Sequence, residues 1–304
     1  MTSNPKWPEL PYAAWSETCE TLQLWTQVAG KVVLALTPLV NHWWNVTFHV
    51  TARGMAKRLI PYRGPAFDIA FDFIDHRLDI ETSDGRCESL PLKPMTVADF
   101  YAAFMQRLQR LGIEARISTT PCEIENCIAF EADCAHAQYD PEYVARFHQS
   151  LVQSARVMDT FRARFLGKAS PVHFFWGSFD LAVTRFSGRP APPPKGHTPN
   201  VASWVMAEAY SRECSSCGFW PGNGGFGHAA YYVYAYPEPD GYGAARLSMS
   251  EAAYNKDVGQ FILPYGAVRE ARDPDNLLLA FLQETYGAAA DLAKWDRVTL
   301  ERGI

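Results

Sequence analysis

Phe67-Asp68-Ile69-Ala70-Phe71-Asp72-Phe73-Ile74-Asp75-His76-Arg77-Leu78-Asp79-Ile80 alternates apolar and polar residues and turns at Asp75-His76. It continues through a second turn at Ser83-Asp84-Gly85 to Leu92. Period-two alternation interrupted by turn residues is the pattern of an antiparallel meander. Phe71, Phe73, Leu78 and Ile80 fall on one face, and Asp72 and Asp79 face each other on the opposite one. Paired carboxylates can split their pKa values and divide acid and base roles. With Arg77 alongside, a solvated sheet face is the favoured reading.

Helical patterns flank the meander. In 17–36, Leu22, Trp25, Val28, Ala29, Val32, Val33 and Leu36 recur at helical spacing before Pro38, and Gly30 in mid-helix implies close packing. In 97–111, Val97, Phe100, Phe104 and Leu108 repeat the pattern, with Thr96 and Asp99 as a capping box and Gly112 as the stop. Two further helices, 141–166 and 274–295, each open with an Asp-Pro pair (Asp140-Pro141, Asp273-Pro274). Strands are expected at 172–187, 212–220, 229–236 and 258–264. Gly188–Asn200 carries five prolines and reads as a stiff, extended connector; Cys217–His228 is a glycine-rich loop.

The halves echo each other. His42-Trp43-Trp44 with Thr47-Phe48 matches His173-Phe174-Phe175 with Ser178-Phe179 at the same offsets, and Leu90-Pro91 and Leu263-Pro264 each precede a helix. The expectation is an α+β protein of two pseudo-repeated halves, 1–137 and 138–304, packed together. Each half would be an antiparallel sheet with two long helices on one face. The element order is similar, by analogy only, to frataxin-like and YjbR-like domains.

Composition narrows the partners. A formal net charge of −5 without basic runs disfavours nucleic acid, and no stretch suits a membrane span. The first ten residues lack the pattern of a signal peptide, and seven unevenly placed cysteines suit reduced thiols, so a cytoplasmic protein is expected. Oligomeric state is not legible.

The motifs resemble those of an uncharacterised bacterial family. They are Trp7-Pro8-Glu9-Leu10-Pro11, Leu24-Trp25-Thr26-Gln27, Thr51-Ala52-Arg53-Gly54, Phe71-Asp72-Phe73-Ile74-Asp75-His76, Ser170 through Asp180, Ser215 through Gly222, and Tyr236-Pro237-Glu238-Pro239. The chain is similar, over almost its whole length, to the domain-of-unknown-function family 5996. The resemblance implies one full-length unit and supplies no activity.

Candidate chemistry is therefore read from the residues. Cys122, Cys127, Cys134 and His136 have zinc-ligand side chains at irregular spacing, so ordinary thiols are favoured and no metal or cofactor is expected. Cys214 and Cys217 have redox spacing but no partner pair. No nucleophile elbow, P-loop or dinucleotide fingerprint occurs.

The best ligand-binding candidates are His173, Trp176, Asp180 and Arg185, with Cys217 and Trp220 on the next strand and His42, Trp44 and Arg53 from the first half. Trp would wall a pocket, Arg would hold a carboxylate or phosphate, and His with Asp would titrate. The competing reading makes His173 and Asp180 hydrogen-bonded core groups. The functional expectation is a small-molecule-binding protein with its pocket at the junction of the halves, catalysis being left open. The alternative is a non-catalytic scaffold whose aromatic loops form a contact surface.

Overall fold

The computed structural model describes residues 7–303. The chain opens with helix α1 (Ser16–Leu36), buried nearly all round. Five strands follow: β1 (His49–Val50), β2 (Gly54–Pro61), β3 (Ala66–Asp72), β4 (Arg77–Thr82) and β5 (Cys87–Pro91). Helix α2 (Val97–Arg110) and a long loop lead to α3 (Pro141–Ala163). The second half contributes β6 (His173–Phe175), β7 (Asp180–Pro190), α4 (Ser203–Ala209), β8 (Arg212–Trp220) and β9 (Ala230–Tyr236). The last elements are β10 (Ala253–Asn255), β11 (Gln260–Pro264), α5 (Tyr265–Glu270), α6 (Pro274–Leu292) and α7 (Arg297–Leu300).

The predicted α+β class holds, with both sheets antiparallel. One sheet runs β1-β2-β3-β4-β5; the other runs β10-β11-β9-β8-β7-β6. The helices start where local chemistry expects. Thr96 Oγ1 accepts from Asp99 N at 3.0 Å, and Asp140 and Asp273 cap helices that begin at Pro141 and Pro274. Apolar faces then bury on the sheets. Trp25 of α1 stacks on Phe100 of α2 at 4.8 Å, over Phe71 of β3. In the second half, Phe161 of α3 meets Tyr286 of α6 edge-on at 6.1 Å.

The sheets adjoin where Phe48 and Phe174 exchange both backbone hydrogen bonds, at 3.0 and 2.7 Å. The expected equivalence of His42 and His173 is not found there. His173 lies in β6, whereas His42 lies in a 3-10 turn (Asn41–Trp43) at φ 57°.

In the meander, Asp72 pairs with Arg77 and Asp79 with Ala70, because the turn takes four residues, Phe73 to His76. Asp72 and Asp79 are thus diagonal neighbours rather than directly opposed. Arg77 lies between them, 2.8 Å from Asp79 and 3.9 Å from Asp72; the face is ion-paired, but Asp72 is buried rather than solvated. Among the described residues, no helix is long and apolar enough to cross a membrane.

Candidate functional site

Strand parity builds the site. Successive side chains of a strand point to opposite faces, so Leu181, Val183 and Arg185 of β7 face α3 and α6, while Asp180, Ala182, Thr184 and Phe186 face the other way. The register extends that second face through Cys214, Ser216 and Gly218 of β8 to Tyr232 and Tyr234 of β9. Above it lies a cavity of ≈ 1080 Å³, roofed by parts of α1, the turn carrying His42 and Trp43, residues 122–128 and α4. Both halves of the chain contribute.

The roof is tied down by a polar seam on α1. Gln23, Gln27 and Lys31 recur every fourth residue and share one side of the helix. Gln23 Nε2 donates to Gly177 O at 2.8 Å, and Gln27 exchanges two 2.9 Å hydrogen bonds with the backbone of Cys122. Lys31 Nζ donates to Thr120 O at 2.7 Å. These bonds fix the 120–123 loop and the turn between β6 and β7 to one helix. Trp176 in that turn donates its Nε1 hydrogen to Val46 O at 2.9 Å and lays its ring on Gly30, where any side chain would collide with it. The implied close packing at Gly30 is this contact. On the far side, Asn223 Nδ2 donates to Gln23 Oε1 at 3.0 Å and its Oδ1 accepts from Trp220 Nε1 at 2.5 Å.

Two carboxylates give the cavity its electrostatics. Asp180 is 7% exposed; it accepts from Ser178 Oγ at 2.5 Å and from the Tyr232 hydroxyl. Burial raises its pKa, and the two donors partly offset the shift. Glu123, in the loop, has φ 60°, and its amide is held by Pro199 O at 2.8 Å. Its carboxyl rests on the bare backbone of Gly177, reachable by a water-sized molecule in the cavity yet enclosed by protein. Burial, with the nearby charge of Asp180, pushes its pKa up to about 7. Among the described residues, Lys31 is the only Lys or Arg on the lining, against five acids (Glu20, Glu123, Glu125, Asp133 and Asp180), and burial lowers its pKa.

His42 closes one corner. The Lys168 ammonium can only donate, so His42 Nε2, 2.8 Å away, accepts; Nδ1 therefore carries the proton and donates to Ala209 O at 2.9 Å. His42 is a neutral bracket that fixes the end of α4. Burial and the Lys168 charge lower its pKa.

Of the predicted site residues, His42, Trp44, Trp176, Asp180 and Trp220 line the cavity. The other four lie elsewhere. Arg185 is on the helix face with 0% exposure, its guanidinium 3.4 Å from the Phe161 ring centre and 4.3 Å from that of Tyr286, donating to Phe161 O. It cannot hold a ligand's carboxylate or phosphate in this cavity. Cys217 pairs with Val183 and so shares the helix face, where burial pushes its thiol up to about 12. Cys214 is three residues away and therefore on the opposite face, so the two are not placed as a redox pair.

His173, 1% exposed, is a core group. Thr47 Oγ1, which donates to Trp44 O, lies 3.1 Å from His173 Nδ1, and burial presses the imidazole pKa down to about 3. Arg53 sits in the turn between β1 and β2 of the first sheet, paired with Asp72 at 2.6 Å and Asp75 at 2.7 Å.

Among the described residues, no three or more His, Cys, Asp or Glu side chains are grouped to hold a metal. Cys122 points to Gln27 Oε1 and Cys127 to Pro121 O, while His136 bonds Asp133 at 2.7 Å.

Sequence reasoning missed Glu123, Tyr210, Tyr232 and Tyr234. The tyrosines were legible in principle, since Tyr232 and Tyr234 alternate along a predicted strand. Glu123 left no trace, lying in a loop without periodicity. Comparison with curated proteins and with solved structures finds no match. A family match spans nearly everything described above, from Trp7 at the first core contact to Arg302 beyond α7: over residues 7–302 the chain belongs to the family of unknown function DUF5996.

Proposed function

We propose that this chain binds a small organic molecule in the cavity between its two halves. One observation carries the reading. A space of ≈ 1080 Å³ is walled by tryptophan and tyrosine, and a few fixed polar groups, Asp180 and Glu123 foremost, converge on it. Apolar walls with a small number of placed polar groups are the usual composition of ligand pockets. The lining polar groups are preorganised: Asp180 by Ser178 and Tyr232, Thr184 by Ser216 at 2.8 Å, Tyr210 by Tyr234 at 3.1 Å.

Thermal melting of the wild type and of Ala209→Trp against a metabolite library tests this. Ala209 lines the cavity from the end of α4, so a tryptophan there fills ligand space while the Ala209 carbonyl keeps its bond to His42. Compounds that raise the wild-type melting temperature and leave the variant unmoved are the expected result. A library that moves neither, or moves both equally, overturns the reading.

A contact surface is the second reading, favoured by Trp204 on α4, 61% exposed and 5.2 Å from Trp43. Under it, Trp204→Ala would abolish association with a protein partner, whereas Ala209→Trp, which fills the cavity, would leave that association unchanged.

A further inference from the structure

We propose that the ligand is an organic cation, an amine or quaternary ammonium on an apolar body, whose positive charge is held between Glu123 and Asp180. This rests on the pocket reading above and names its ligand class.

The argument begins with what the carboxylates lack. Glu123 has no hydrogen-bond donor or cationic partner among the described side chains, and its carboxyl rests on the Gly177 backbone facing open space. Asp180 has two hydroxyl donors and no cation. Of the other lining acids, Asp133 takes His136 and two backbone amides, Glu20 takes Tyr12 at 3.2 Å, and Glu125 is exposed. Two carboxylates that border one space without a counter-charge are suited to a cation from outside.

The walls agree. Trp176, Trp220, Tyr210, Tyr232 and Tyr234 surround the same space, and aromatic faces attract cations through their quadrupole. The nearby cations are engaged elsewhere, Lys168 with His42 at 2.8 Å and over the Trp44 and Phe186 rings. Arg185 is turned to the helix face, Arg53 serves Asp72 and Asp75 on the other sheet, and Lys31 is committed to Thr120 O.

Titration supports the geometry. The groups facing Glu123 are Asp180, Cys122 and Tyr210, with Lys31 beyond the thiol. With a pKa of about 7, Glu123 holds a proton over part of the neutral range, and an arriving ammonium displaces it. Cation binding therefore strengthens as pH rises through 7.

The test uses three matched sets on the full chain: phenethylamine, tryptamine and phenyltrimethylammonium, with the corresponding neutral alcohols and carboxylates. Isothermal titration at pH 8 and low salt reads the affinities. The expected result is cation binding at least about tenfold tighter than neutral binding, a preference of one charge–charge contact in a partly enclosed site. Glu123→Gln should erase most of that preference and leave the alcohols unchanged, and Asp180→Asn should weaken it independently. Equal binding of cations, alcohols and acids overturns the cation assignment and leaves the pocket reading standing. Failure of every probe, whatever its charge, overturns both.

Discussion

Asp180 and Arg185 stand five residues apart on β7, both buried, and the molecule treats them in opposite ways. Arg185 is fully enclosed between Phe161 and Tyr286, and burial brings its pKa down to about 10. Ring faces and one backbone carbonyl surround it, while its Nε and Nη1 are buried without a hydrogen-bond partner. Asp180 faces a space the protein leaves unfilled, next to a second acid with no counter-charge. One face of the sheet is packed under helices; the other borders open space. A buried charge is therefore informative about binding when its surroundings, rather than its identity, leave something unmet.

Three measurements can break or sharpen that contrast. The largest effect is expected from Arg185→Ala, which strips the aromatic box of its cation and opens a void. Urea unfolding should show a loss of about 3–5 kcal/mol. A variant as stable as wild type would mean that the helix face does not depend on Arg185, and the contrast would fail.

Gly30→Ala should cost less, about 1–3 kcal/mol, the range for overpacking a filled contact. The added methyl collides with the Trp176 ring, and that ring also borders the cavity. It has somewhere to go, so part of the cost should return as a smaller cavity. The checks are chemical unfolding and loss of affinity for whichever ligand the metabolite screen yields.

Glu123→Gln should give the smallest change, and its sign depends on pH. An unfolded glutamate releases its proton near its ordinary value of 4.5, whereas the folded one retains it to about 7. The unliganded wild type therefore loses stability from this group as pH rises across that window. The variant lacks the group, so its melting temperature should gain on wild type between pH 5 and pH 8, by about a degree or two, because Glu123 is exposed on the cavity side and water screens most of the shift. A constant difference across that range would show that Glu123 is not perturbed.

Much of the fold was legible because its signals are local. An aspartate before a proline starts α3 and α6, Thr96 with Asp99 starts α2, and strand β8 lies where alternation placed it, Arg212–Trp220. The site was half legible. Trp176, Asp180 and Trp220 were found by aromatic density, but grouping His173, Asp180 and Arg185 by proximity in sequence ignored parity, which sends residues 180 and 185 to opposite faces. The α4 helix escaped notice because the proline-rich stretch before it dominates the local composition. Glu123 could be found only once the chain had folded, since Pro199 O and Gly177, distant in sequence, place it. The four-residue spacing of Gln23, Gln27 and Lys31 was visible and unused.

The paired backbone of Phe48 and Phe174 has a consequence for solubility. Exposed strand borders offer unpaired amides and carbonyls to any passing chain and so seed aggregation. Here two very short strands, β1 and β6, turn those borders toward each other, and each blocks the other. A chain severed between residues 137 and 138 would leave both borders open, together with the two halves of an aromatic-walled hollow. Its fragments would be sticky in two ways at once, through hydrogen bonds at the sheet margin and through apolar surface at the former cavity wall.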